Sequence, residues 1–132
     1  EIGMQALAVA ENPKTDTYFF AVLLKMVIAK AAITLSDLDT AKMYIETAIE
    51  TAKTYNMNDL LSRLYLMYGK YFQEAGLVES DMQGEYLNGA VRMYSKATEL
   101  VKLTRNNTVH IEIEKAKNVL KSFCQLNGIK LG

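Results

Sequence analysis

The chain has 132 residues, a single proline, and 15 basic against 15 acidic side chains, so its formal charge is zero. Half of the residues are hydrophobic, which excludes a disordered segment, and the length suits one domain with a sizeable core. The neutral balance argues against gripping nucleic acid through phosphates, and the lone cysteine excludes an internal disulfide and points to a reducing, cytoplasmic setting.

Ala, Leu, Met, Lys and Glu dominate and apolar residues recur at three and four, so helices are expected almost throughout. A first helical segment over 1–12 ends at Asn12 and Pro13. The second starts where Thr15 or Asp16 can cap it and holds the most apolar stretch, Tyr18 to Leu35. Lys25 and Lys30 fall inside that stretch about 140° apart, and each would cost roughly 3 kcal/mol at a bilayer centre. It therefore reads as a helix in a soluble core with lysines snorkelling at its edges, and no membrane contact is expected. No basic signal segment precedes it, and a chain opening on Glu1 without methionine reads as part of a longer protein.

Ser36 and Asp37 make a short turn into the third helix, which carries Asp39 and Glu46 toward its start and Lys53 in its last turn, the polarity a helix dipole favours. Asn56 to Asp59 is the next break. Gly76 closes the fourth helix, a longer connection runs from Leu77 to Gly84, and Ser80 with Gln83 suits a capping box for the fifth. Asn106 and Asn107 end that helix, Thr108 opens the sixth, and Asn127-Gly128 closes it. The expected product is a single all-α domain of six antiparallel helices.

Internal repetition separates a closed bundle from a stack of hairpins. Ala8 and Ala48 stand forty residues apart, as do Ala29 and Gly69. The helix from Ala41 to Lys53 can be laid on the one from Ala90 to Lys102, matching Ala41 with Ala90, Ala48 with Ala97, Glu50 with Glu99 and Lys53 with Lys102. Small residues seven apart mark a close helix crossing, so a repeated small pair means a repeated crossing.

Tyr65, Tyr68, Gly69 and Phe72, followed by Ala90, Tyr94 and Ala97, resemble the two signatures of the tetratricopeptide repeat family. Ile28, Ala29 and Ala32 with Ala41, Ile45 and Ala48 resemble the preceding repeat, and Ala8 with Pro13 the tail of one earlier still. The period near forty is similar to a longer-helix variety found in signalling adaptors and bacterial regulators, and Lys25 takes the usual core aromatic position. The resemblance implies an α-α superhelix with an earlier-repeat tail at 1–12, a first hairpin at 15–56, a second at 58–106 and a capping helix at 108–128. Ala116, Val119, Leu120 and Phe123 of that cap would face inward.

The resemblance also implies a function. First helices of each pair line a concave groove, where relatives hold extended peptides or a partner helix. Here the lining would be Leu23, Met26, Val27, Lys30 and Ile33, then Arg63, Leu66, Met67, Lys70 and Gln73, then Lys117 and Lys121. Adaptable methionines floor the groove, and its basic residues would receive an acidic side chain or a terminal carboxylate. The variety that clamps a peptide C-terminus carries asparagine after the signature glycine, where this chain has Lys70, so that ligand class is not implied. The expectation is a non-catalytic protein-binding module without cofactor or metal, within a larger signalling or transcription-regulating protein.

Catalytic readings find little footing. His110 and Glu114 share a helix face near Glu112, but no second histidine completes a metal site. Cys124 falls on an apolar stripe, as a buried structural thiol does. Tyr65, Tyr68, Tyr71 and Phe72 at helical spacing suit packing better than base stacking. The alternative reading is a self-contained helical bundle for dimerisation or phosphotransfer, in which His110 would matter.

Overall fold

Turn chemistry sets the helix boundaries in the computed structural model of the protein, which describes residues 13–131, with side chains from Thr17 onward. Five α-helices follow one another: α1 (Pro13–Thr34), α2 (Leu38–Thr54), α3 (Asn58–Val78), α4 (Gln83–Thr104) and α5 (Asn107–Leu126), with a 3-10 turn at Ser80–Met82. No strand occurs among the described residues. The helix expected over 1–12, with Ala8, lies outside them.

Residues 13–34 form α1, so Thr15 and Asp16 lie within the helix rather than at its start. Three helices then end in the same way. Ser36 adopts φ 61°, its N–H donates to Ile33 O at 3.0 Å, and the Asp37 N–H donates to Ala32 O at 2.8 Å. Asn56 at φ 52° repeats the arrangement after α2, with Met57 N–H on Ala52 O at 2.9 Å, and Gly128 at φ 65° repeats it after α5, with Ile129 N–H on Cys124 O at 2.9 Å. Each left-handed residue closes a Schellman motif that satisfies terminal carbonyls. Asp37 caps α2 by accepting from the Thr40 N–H at 3.4 Å.

The α3–α4 junction differs from the sequence expectation. Gly76 does not end α3; it is buried inside it, where a Cβ would stand 3.4 Å from Cβ of Tyr86. The connection is correspondingly short, and Ser80 forms no side-chain cap. Gln83 instead donates through Nε2 to Gly76 O at 3.2 Å. The next boundary also moves: α4 ends at Thr104, Arg105 turns the chain at φ 55°, and Asn106, not Thr108, caps α5, its side chain accepting from the Val109 N–H at 3.1 Å.

Each helix packs on the next, and α3 also packs on both α1 and α5; neither α1 with α5 nor α2 with α4 meets backbone to backbone. The repeated small residues lie where helices cross. Ala29, Ala41, Ala48, Ala90 and Ala97 are all 0% exposed. At Gly69 a Cβ would fall 2.7 Å from Cδ1 and 2.8 Å from Cζ of Tyr94, so the tyrosine ring occupies the glycine's missing side chain. The Phe72 ring likewise covers Gly89, 3.2 Å from where its Cβ would be.

On α5 the buried stripe is Val109, Ile113, Ala116, Leu120 and Cys124. Val119, expected to face inward, is 62% exposed, because it sits about 100° round the helix from Leu120, and Phe123 is half-buried. Helix α1 is long and apolar enough over Thr17–Thr34 to cross a membrane, with mean hydropathy 1.6, yet only 17% of that window is buried. Its expected burial is confined to one side: Val22, Ala29 and Ala32 are covered, whereas Leu24 and Val27 are largely exposed.

Candidate functional site

Because α3 packs on α1 and on α5, these three helices share one face of the protein, and a groove of about 680 Å³ runs along it. From α1 it takes Leu23, Met26, Val27, Lys30 and Ile33, and from α3 Arg63, Leu66, Met67 and Lys70. Those spacings of three and four put each set on one helix side, so nine of the ten residues expected there from α1 and α3 come together. Thr34 and Glu112 complete the lining. Gln73, the remaining α3 residue, lines an adjoining cavity of about 380 Å³ that shares Ile33, Lys70 and Glu112 with the groove. Its Oε1 accepts a hydrogen bond from the Tyr94 hydroxyl.

Lys117 and Lys121 are not in the groove. They line a separate cavity of about 350 Å³ between α4 and α5, beside Tyr94, Cys124 and Leu131. Glu112, which is in the groove, precedes Lys121 by nine residues, half a turn around the helix axis. The signal that identifies Glu112 is the α5 stripe itself, read at Val109, Ile113, Ala116 and Leu120 rather than shifted toward Val119.

The electrostatics of the groove are uneven. The Lys30 and Lys70 ammonium groups make no ion pair or hydrogen bond among the described residues, and both side chains are exposed over an apolar floor. Arg63 is held by Asp59, Nε to Oδ2 at 3.2 Å, which leaves its terminal guanidinium nitrogens available. Asp59 in turn accepts at Oδ1 from Asn106 Nδ2 at 2.9 Å. Glu112 is the one carboxylate in the lining.

The other candidate groups resolve as follows. His110 is exposed in the first turn of α5, and no group of three or more His, Cys, Asp or Glu among the described residues could hold a metal ion. Cys124 is 5% exposed and burial raises its thiol pKa, which disfavours a reactive thiolate. Tyr65 is buried with the Lys96 ammonium 5.4 Å from its ring centroid, and Tyr68 and Phe72 face α2 and α4, away from the groove.

Of the phenols raised by their surroundings, two are shifted farthest. Burial pushes the Tyr94 hydroxyl far above the ordinary phenol value, and burial together with the Glu46 carboxylate does the same for Tyr68. A group whose folded pKa is raised stabilises the fold fully below its unfolded pKa and loses that contribution as pH rises above it. Thermal melts should therefore show Tm falling progressively above about pH 10, with Tyr68 and Tyr94 the last phenols to ionise in an ultraviolet titration. Tyr94→Phe should make that alkaline loss shallower.

Comparison with protein-family models, curated proteins and solved structures finds no match to this chain.

Proposed function

We propose that the protein is a tetratricopeptide-like stack of helical hairpins, an α-α superhelix that works as a non-catalytic binding module inside a larger cytoplasmic signalling or transcription-regulating protein. The repeated Ala pairs at 41/48 and 90/97, together with the packing of α3 on both α1 and α5, support a stack rather than a closed bundle. In that reading α1, α3 and α5 are the first helices of successive hairpins and form the concave side.

The ligand is an extended peptide or partner helix with apolar side chains and carboxylates. One observation carries this: the Lys30 and Lys70 ammonium groups, both without partners among the described residues, stand over a floor of Leu23, Met26, Leu66 and Met67. An apolar floor takes the hydrophobic side chains and the free ammonium groups take the acids, so affinity depends on both.

Fluorescence anisotropy with a panel of short labelled peptides tests it. Peptides mixing Leu and Glu should bind and those mixing Leu and Lys should not. Lys30→Glu with Lys70→Glu should weaken the acidic peptides at least about tenfold, equivalent to about 1.4 kcal/mol, with circular dichroism unchanged. Equal binding of both peptide kinds, or full affinity in the double variant, would overturn the groove assignment.

A further inference from the structure

Across α3 from the groove lies a second surface of opposite character. The rings of Tyr68 and Phe72 stack with centroids 4.6 Å apart, Tyr71 lies 5.6 Å from Tyr68 and 5.3 Å from Phe72, and Tyr86 of α4 lies 6.2 Å from Phe72. Carboxylates rim these rings. Tyr68 donates its hydroxyl to Glu46 Oε2 of α2 at 2.6 Å, and Tyr86 donates to Glu79 Oε1 at 2.9 Å. Asp39 is near enough to act on both Tyr71 and Tyr86, and Glu85 acts on Tyr86.

Two features suit this surface to a cation. Asp39, Glu46, Glu79 and Glu85 take part in no ion pair among the described residues, and no basic side chain is among the groups acting on these tyrosines. Tyr71 is only 6% exposed, yet its hydroxyl has no hydrogen-bond partner among the described residues. The four carboxylates are exposed, so the patch presents negative charge with no cation beside tyrosine rings, and the Tyr71 oxygen has acceptor capacity to spare.

We propose that this aromatic and acidic patch between α2 and α4 receives an arginine side chain from a basic segment of a partner protein. A guanidinium fits each element present: its plane stacks on tyrosine faces, its N–H groups donate to Glu46 and Glu79, and the Tyr71 oxygen accepts another. A lysine ammonium is a point charge and matches the carboxylates but not the stacked rings. The assignment is independent of the groove, whose free cations call for a ligand of the other sign.

The test uses the full chain, isotope-labelled for NMR, titrated with a blocked peptide alternating glycine and arginine and with the same peptide carrying citrulline, the uncharged isostere. The arginine peptide should shift amides near Asp39, Glu46, Tyr68–Phe72 and Glu79–Tyr86, and bind at least about tenfold more tightly than the citrulline peptide. Glu46→Gln with Glu79→Gln keeps both tyrosine hydrogen bonds while removing charge, and should cost at least a further tenfold or so. Asp39→Asn provides a second, milder variant should the double one fail to fold. Glu99→Gln with Glu114→Gln, which neutralises carboxylates elsewhere, should bind like the parent. Shifts spread evenly over exposed acids, equal binding of the citrulline peptide, or equal losses in the patch and control variants would each overturn the proposal.

Discussion

Gly69→Ala is expected to destabilise the protein by about 1–2 kcal/mol, although alanine is the better helix former by about 1 kcal/mol. The reason is the Tyr94 ring, whose Cδ1 and Cζ would lie 2.7 and 2.8 Å from the new Cβ. That ring is 1% exposed and tied to Gln73, so it cannot swing away. Gly69→Leu should cost about 3 kcal/mol or more and lower Tm by roughly 10 °C. Gly84→Ala is the internal control: a Cβ there meets nothing within 4 Å, so this variant should melt at or above the parent temperature.

The corresponding pair in the first hairpin is Ala29 and Ile45, both 0% exposed. Copying it into the second hairpin turns the argument into a thermodynamic cycle. Tyr94→Ile alone loses ring contacts and the Gln73 bond, costing about 3 kcal/mol. Combined with Gly69→Ala, the new methyl occupies space the ring vacated. The double variant should then cost less than the sum of the singles by at least about 1.5 kcal/mol, measured by urea unfolding. Strict additivity would mean that the tyrosine is not what demands glycine at position 69.

The same residues show how much of the molecule could be read beforehand. Spacing put Leu23, Met26 and Lys30 on one side of α1 and Leu66, Met67 and Lys70 on one side of α3, because a helix face is a local property, but only the resemblance to tetratricopeptide repeats implied that the two sets share a groove. Boundaries fared worse where one residue type serves two purposes. Gly76 looks like a helix terminator, but α3 runs on through it to Val78, and a Cβ there would meet Tyr86 and Leu87 only at ordinary van der Waals distance. Gln83 looks like a capping-box partner, yet its amide finds the Gly76 carbonyl once α3 continues past it. On α5 Lys117 and Lys121, expected in the groove, line the α4–α5 cavity instead, and Glu112 lines the groove, because the buried stripe runs through Leu120 rather than Val119, about 100° away. The acidic aromatic patch was legible as a row of tyrosines on α3 but not as a surface, because Asp39, Glu46 and Tyr86 join it from other helices.

Asn106 carries the other large expected effect. Its carbonyl oxygen caps α5 by accepting from Val109, and its amide nitrogen donates to Asp59 at the start of α3, so one side chain fastens the α4–α5 turn to α3. Asn106→Ala removes both bonds. Loss of the cap costs about 1 kcal/mol, and the bond to a half-exposed carboxylate adds somewhat less, for about 1.5–2 kcal/mol in all. Asn106→Asp separates the contributions, since a carboxylate still caps the helix but now faces Asp59 with like charge. That repulsion exists only when both groups are ionised. Asn106→Asp should therefore be more stable than Asn106→Ala near pH 3, with its advantage shrinking as pH climbs through the carboxylate range to about 6. Urea unfolding of both variants across that range measures the crossover. An ionised cap by itself gains from the helix N-terminus, so if the advantage of Asn106→Asp instead grows with pH, the bond to Asp59 contributes nothing and the turn is held by the helix cap alone.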